Sequence, residues 1–412
     1  MANTTLTASI IAKEALVILE NELGVLQDLH RAPEEEFNNT VNGYKIGATV
    51  TIRRPADFTV RSGATLSVQD VIEGNTTLTI DQQIGVDFQF TSQELTLQIG
   101  QLSERVIKPA MSSIINYMAN DVLTVMKNNA YHWVGTPGNT ITTFAGFAKA
   151  PERLDLAAVP QEGRAAALAP TDFWGLVGAQ SALYIQDVAK GAYRAGELGM
   201  LGGIKTRMSQ VVPTHTVGPL GGTPVVNGAN QNVTYDTAKT TWTQSLITNG
   251  WTASAAARLN QGDVFTIANV FMVNPKTKIS TGVLQQFVVT AAASSDASGN
   301  LTATISPPII ISGPHQTVNA APANSAAITM VGSAGTTYRN NIVFHKNAMA
   351  LACVPLEMPQ AAYGASRQSY KGLSVRVIPI YDGTNDISKW RLDLLYGRRL
   401  IDPRLVVRLS GT

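Results

Sequence analysis

Residues 103–129 read SERVIKPAMSSIINYMANDVLTVMKNN. Apolar side chains recur at Val106, Ile107, Met111, Ile114, Ile115, Met118, Val122, Leu123, Val125 and Met126, the spacing of a helix that buries one face. Asn116, Asn120, Asp121 and Lys127 are left for the other side. Pro109 is tolerated in the first turn of a helix and costly in its middle. The spacing therefore predicts a main helix over 109–128 with a helical lead-in from Ser103. Asn128-Asn129, Gly135 and Pro137 end it. About twenty residues at about 1.5 Å each make a rod of about 30 Å, and such a rod needs a surface to lie on.

The sequence before the helix offers one. Leu78, Ile80, Ile84, Val86, Phe88 and Phe90 alternate with Thr77, Thr79, Asp81, Gln83, Asp87 and Gln89, and only Gln82 spoils the period of two. This is a long half-buried strand. Thr49 to Arg53, with Val50 and Ile52 on one face, reads as the partner arm of a hairpin. A polar stretch from Ser62 to Asn75, with Gly63 and Gly74, joins the arms. A two-stranded ribbon of this length exposes its edges and needs cover, from its own body or from another subunit. Arg53, Arg54 and Arg61 are positioned to meet acidic partners. Upstream, residues 8–29 read as a first helix, with Ile11, Leu16, Val17, Leu19, Leu23 and Leu26 as its apolar load. It packs either on its own domain or on a partner. A polar break with Pro33 and three glutamates, Glu34 to Glu36, follows.

Downstream, Leu168 to Leu183 predicts a helix started by Thr171 or Asp172 and packed by Phe173, Trp174, Leu176, Val177 and Leu183. Gly203-Ile204-Lys205-Thr206 lacks the Gly directly before Lys that a phosphate loop requires and reads as a mobile loop. From Gly222 to Gly335 the composition changes. Between His215 and Tyr338 only Asp236, Lys239, Arg258, Asp263, Lys276, Lys278 and Asp296 carry charge. Short strands over 240–246, 263–270, 285–290, 301–305 and 327–331, with a turn at Asp296–Asn300, predict an inserted all-β barrel or sandwich. Its core candidates are Trp242, Trp251, Val264, Phe265, Ile267, Val270, Phe271, Phe287, Val288 and Val289. Charged sequence resumes at Arg339. Alternating strands around Leu373–Val377 and Trp390–Leu394, and a last one over 405–409, predict a sheet beside the long helix.

Composition narrows the function. A chain of 412 residues exceeds one typical domain. Net charge is +2 with 15% charged residues, unlike a strongly basic nucleic-acid binder. The single cysteine, Cys353, rules out an internal disulfide and fits a reducing cytoplasm. His30, His132, His215, His315 and His345 are scattered singly, so no metal cluster is indicated. No signal peptide is visible and no stretch has the length of a membrane span. No hydrolase elbow, zinc-protease pair or Cys/His nucleophile pattern occurs. The expectation is therefore a non-enzyme, without catalytic, cofactor-binding or metal-binding residues.

The order of these elements, with VPTHTVG (212–218), TPVVNGA (223–229), GDVFTIANVFMVNPKTKISTGVLQQFVVTA (262–291), NIVFHKNAMALA (341–352), YDGTNDISKWRLDLLYG (381–397) and DPRLVVRL (402–409), resembles the tailed-bacteriophage major capsid proteins that carry an inserted β-barrel. Arg398-Arg399 depart from the uncharged or aromatic residue usual after that YG. The resemblance implies an α+β chain of the tailed-phage and herpesvirus capsid fold, a long spine helix on an antiparallel sheet with an extended hairpin loop and an inserted all-β domain. It implies an N-terminal arm over 1–43, the extended loop over 44–90, a peripheral domain over 91–135 and 367–412, an axial domain over 136–221 and 336–366, and the insert over 222–335. It implies hexamers and pentamers in an icosahedral shell around double-stranded DNA, bound non-specifically. A scaffolding protein and a portal would be partners, and assembly would take place in the bacterial cytoplasm away from membranes. Arg53, Arg54, Arg61 and Glu73 are then candidates for contact between subunits. An encapsulin-like compartment and a secreted β-rich adhesin are the alternative readings.

Overall fold

The computed structural model describes residues 8–30, 40–41, 44–45, 49–54, 56–66, 68–91, 103–181, 198–359, 364–370 and 373–412. Leu183, Pro33 and the three glutamates after it lie outside these. The chain divides into two compact units. One comprises 1–51, 77–122 and 349–399, the other 52–76, 123–348 and 400–412.

The first unit is built on an antiparallel sheet in the order Ser366–Tyr370, Leu373–Asp382, Ile387–Leu400, Asn75–Thr91, Thr49–Arg53, and Met349–Val354 also pairs with Ile387–Leu400. Along Asn75–Thr91 every even residue from Thr76 to Phe88 is more buried than its neighbours. Gln82 keeps the inward register, so the period is unbroken. The helix Ala8–Glu22 lays Ile11, Ala12, Ala15, Leu16 and Leu19 against Ser366–Tyr370 and Leu373–Asp382. The arm therefore packs on its own chain. It is shorter than the periodicity suggests, because Gly24 turns left-handed (φ +52°) and only a short 3₁₀ turn, Gly24–Asp28, continues. Val17 faces solvent.

The long helix runs Lys108–Asn129, preceded by a wider helical turn over Ser103–Ile107. Ile107, Met111, Ile114, Ile115, Met118, Val122, Leu123 and Met126 are buried, while Asn116 and Asn120 are exposed. Lys127 departs from the expected polar side. It is 8% exposed, and its Nζ donates to the Thr214 carbonyl at 3.1 Å. Asp121, at the outer edge, accepts from Tyr396 Oη at 2.7 Å and from Arg398 Nη2 at 2.9 Å, and Arg398 also pairs with Asp81 at 3.0 Å. The unusual arginine after YG thus binds carboxylates of both the helix and the long strand.

The second unit contains two six-stranded sheets. One runs His132–Val134, Val406–Leu409, Asn341–His345, Arg164–Leu168, Ile204–Met208, Met200–Leu201. Its first pair and its Arg164–Leu168/Ile204–Met208 pair are parallel, the others antiparallel. The helices Phe144–Leu156 and Pro170–Ser181 supply Phe147, Leu154, Phe173 and Leu176 to its core, with Ile204, Val343, Val407 and Leu409. Three expectations change here. Ile204–Met208 is a strand, turned by Gly202 and Gly203 at positive φ, and not a loop. Asp172 lies inside its helix, fully buried, where it accepts from Ile141 N, Arg339 Nε and Asn341 Nδ2 at 2.8–3.0 Å. Trp174 is exposed. The last strand, every residue of which is buried, takes a central place between two strands of this sheet, since it needs partners on both edges.

The other sheet lies wholly within 222–335. Its order is Gly222–Val226, Gln244–Trp251, Leu301–Ser306, Ser280–Val289, Val264–Val273, Ile328–Met330. A bridge from Val225 to Ala327, beside the Val226 N–H to Ala326 bond at 3.0 Å, closes the two ends into a barrel. Trp251, Phe265, Ile267, Val270, Phe287 and Val289 fill it, with Leu246, Leu301, Ile305 and Val318. Val264 and Val288 point the other way, into a cluster with Tyr131 and Trp133. Phe271 is only half-buried, because the register slips between Thr266 and Phe271. Trp242 is buried but outside the barrel core, beside Tyr235 and the Arg54 and Arg404 guanidiniums. The incoming strand Thr214–Thr216 pairs antiparallel with the outgoing Thr337–Arg339, so the barrel hangs from adjacent ends.

Candidate assembly surface

The loop between Thr49–Arg53 and Asn75–Thr91 is held from within. Gln69 Oε1 accepts from Thr59 N and Oγ1 at 2.9 and 2.8 Å, and its Nε2 donates to the Thr59 carbonyl at 2.6 Å. One amide side chain thus bonds both the N–H and the C=O of a single residue across the loop. At its base Arg54 N donates to Gly74 O at 2.7 Å. Beyond the Gln69 clasp, Arg61 donates to the Gly63 and Thr65 carbonyls.

Between Phe58 and Val71 the loop is not the polar stretch that its composition suggests. Phe58 is 55% exposed, Val60 95%, Leu66 78%, Val68 80% and Val71 62%. The i, i+2 spacing of Phe58/Val60 and Leu66/Val68 was the available signal for one apolar edge on each limb. Of the charged candidates, Arg53 and Glu73 pair across the base at 3.3 Å while remaining open to solvent. Arg54 is turned inward, with Nε donating to Ile401 O at 2.9 Å and its guanidinium 5.9 Å from the Trp242 ring. Arg61 is exposed.

Where the barrel joins the rest of its unit, buried polar groups converge. Asp263 accepts from His215 Nε2 at 2.8 Å, Asn260 N at 2.8 Å and Gly218 N at 3.1 Å. Burial pushes the His215 ring below its ordinary range, and the bond to Asp263 opposes that shift. Burial and the neighbouring Arg408 bring Lys127 down to about 8. Arg408, itself brought down to about 9 by burial, donates twice to Ala130 O and lies 5.3 Å from the Trp133 ring. The arrangement suits a fixed joint: Lys127 and the Nε and Nη2 of Arg408 face protein carbonyls, and His215, Asn260 and Gly218 face one carboxylate. Among the described residues no three metal-ligating side chains gather, and no helix is long and apolar enough to cross a membrane.

The family model for the P22 coat protein, gene protein 5, matches residues 7–411. A Mycobacterium phage Che8 structure is 13% identical, with 93% of this chain and 89% of that chain covered and a TM-score of 0.48. The capsid of Cyanophage P-SCSP1u is 11% identical, with 95% and 98% covered and a TM-score of 0.43. The CUS-3 coat protein I-domain is 32% identical over 27% of this chain and 96% of its own, with a TM-score of 0.21. No curated protein matches. The family match spans both units, so the chain belongs to the P22 coat protein family: it is a major capsid protein of the tailed-phage capsid fold, which forms an icosahedral shell.

Proposed function

We propose that the chain assembles into hexamers and pentamers in which the extended loop laps onto a neighbouring subunit. The exposed apolar row from Phe58 to Val71 carries this reading. Five large apolar side chains left open to solvent within fourteen residues mark the loop as a candidate interaction surface. In a closed shell every copy offers the same loop to the next, so one patch serves every contact of its kind. Arg53, Arg61 and Glu73 rim that patch as candidate polar contacts, whereas Arg54 anchors the loop from within.

The remaining parts follow the same plan. The arm lies over 1–43, the loop over 44–90, the peripheral domain over 91–135 and 367–412, the axial domain over 136–221 and 336–366, and the barrel over 222–335. The pairing of Val406–Leu409 with Asn341–His345 favours moving the last twelve or so residues to the axial part. The shell encloses double-stranded DNA non-specifically, and a net charge of +2 suits a wall that does not hold it tightly. Assembly takes place in the host cytoplasm with a scaffolding protein and a portal, and the chain turns over no substrate.

Val60→Asp with Leu66→Asp tests the loop. Both residues are exposed, so the subunit is expected to keep its circular dichroism and its melting temperature. In the presence of scaffold it is expected to stay in small species on sedimentation. Normal shells from this variant would remove the loop from the interface.

A further inference from the structure

Both limbs of the extended loop are bound at their base to the inserted barrel, through groups that the assembly reading does not use. Asp57, on the outgoing limb, has an 8% exposed side chain. Its Oδ2 meets Arg404 Nη1 at 3.0 Å and lies 3.7 Å from His315 Nδ1, while Oδ1 is 3.4 Å from Lys276 Nζ. His315 and Lys276 belong to the barrel segment. Arg404 is itself fixed by Asp402, with Nη2 to Oδ2 at 2.8 Å. On the return limb, Gly74 lies so close to barrel residues that an added Cβ would sit 2.6 Å from Tyr235 Oη and 2.7 Å from Lys239 O. The two limbs meet one aromatic stack. Tyr235 lies flat on His315, with ring centres 3.5 Å apart and 11° between planes, and edge-on to Trp242. The guanidiniums of Arg54 and Arg404 lie 5.9 and 6.0 Å from the Trp242 ring.

This explains several features left over from the barrel. Trp242 stands outside the core in a left-handed backbone conformation (φ +56°). Asp57 is a buried carboxylate in a loop, where a charge is retained only against paired cations. Lys276 and Lys278 cluster toward it although the barrel segment is otherwise almost free of charge.

We propose that the inserted barrel is the seat of the extended loop. Asp57 is the bolt between Arg404 and the barrel's Lys276, beside the His315 ring, and Gly74 gives the return limb its close approach to Tyr235. The seat fixes the direction in which the loop leaves the subunit. Its bearing on assembly rests on the reading of the loop as an element between subunits, but the seat itself does not.

Hydrogen exchange of the unassembled full-length subunit tests the seat. Asp57→Asn is expected to speed exchange of amides 56–73 by about tenfold, and Lys276→Ala, whose ammonium is largely exposed, by about two- to threefold. The double variant should gain less than the product of the two, because both remove one contact. Gly74→Ala should act in the same direction by an independent route, and it keeps the test open if Asp57→Asn does not fold. Amides of Ser280–Val289 should be unchanged throughout. Unaltered loop exchange in Lys276→Ala and Gly74→Ala would overturn the seat, as would acceleration spread equally over the barrel. Electron microscopy of the same variants with scaffold reads the other question. Loosened loops with misshapen particles support both readings. Loosened loops with normal particles keep the seat and overturn the loop as an interface.

Discussion

Gln286 hydrogen-bonds both backbone polar groups of a single residue, Trp133: its Oε1 accepts from the Trp133 backbone N–H at 2.9 Å and its Nε2 donates to the Trp133 carbonyl at 2.7 Å. Trp133 lies on His132–Val134, the edge strand of its sheet. A barrel side chain therefore takes the place of a missing neighbouring strand and satisfies an edge that would otherwise be buried unpaired. Val264 and Val288 pack beside it on Tyr131 and Trp133. The barrel is docked by an amide clasp and an apolar patch, with Asp263–His215 as the third point.

Gln286→Leu should therefore be costly although it is apolar and similar in size. It strands a buried N–H and a buried C=O, each worth about 1–3 kcal/mol. Chemical denaturation of the subunit should show a loss of about 2–6 kcal/mol on the same basis. Gln286→Glu keeps the acceptor, loses the donor and adds a buried charge, so it should not rescue. A loss below about 0.5 kcal/mol, the range of an unremarkable surface change, would contradict the clasp.

Acid should weaken the second unit through histidines held neutral. His132 is fully buried and neither ring nitrogen has a hydrogen-bond partner among the described residues. Burial, assisted by Arg153, holds its pKa well below the ordinary 6.5, and burial brings His315 down to about 4. In each case the unfolded chain takes a proton below about 6.5 that the folded chain refuses. Stability must then fall as pH drops from about 6.5, by up to about 1.4 kcal/mol per pH unit for each such group. The His315 contribution levels off near pH 4. His132→Phe removes one of these slopes, so urea denaturation between pH 7 and 5 should show a shallower fall. An identical pH dependence would mean that His132 is protonated in the fold.

The barrel's core separates residues that composition treats alike. Phe265 and Phe287 are 2% and 0% exposed, with ring centres 5.8 Å apart, and each change to Ala should cost about 3–5 kcal/mol. Phe271, half-buried at the register slip, should cost clearly less. A piece cut at 214 and 339 should be more stable than one cut at 222 and 335, because it retains the Thr214–Thr216/Thr337–Arg339 ladder and the His215–Asp263 bond. Thermal melts of the two pieces compare them directly, and equal melting would show that the ladder adds nothing.

Asp121 is the acceptor shared by Tyr396 and Arg398 in the first unit. Tyr396 is fully buried, and burial together with the Asp121 bond raises its hydroxyl pKa. Asp121→Ala leaves that hydroxyl and the arginine without their carboxylate, and should cost about 2–4 kcal/mol. Asp121→Asn, which still accepts the tyrosine bond, should cost less. Equal losses for the two would place the energy in the charge rather than in the hydrogen bond.

Regular elements were legible because periodicity reports burial of one face. The strand Asn75–Thr91 and the helix Lys108–Asn129 follow from it almost residue by residue, whereas the barrel was legible from its poverty of charge, with its first strand, Gly222–Val226, missed. What escaped is set by contacts distant in sequence. Lys127 fits the polar side by spacing, yet a carbonyl at Thr214 draws it inward. Trp242 was grouped with the barrel core by hydrophobicity, while two arginines from other segments hold it outside. Asp57 and Gln69 look like ordinary loop residues until the fold brings their partners to them. The loop's apolar edge was masked by the polar residues interleaved with it.

Electron microscopy of the full-length protein purified with its scaffolding protein tests the central claim most directly. A shell subunit with an exposed apolar loop seated on its own barrel should give closed isometric particles built from hexamers and pentamers. A preparation that remains monomeric under those conditions, with the subunit folded, would contradict the account.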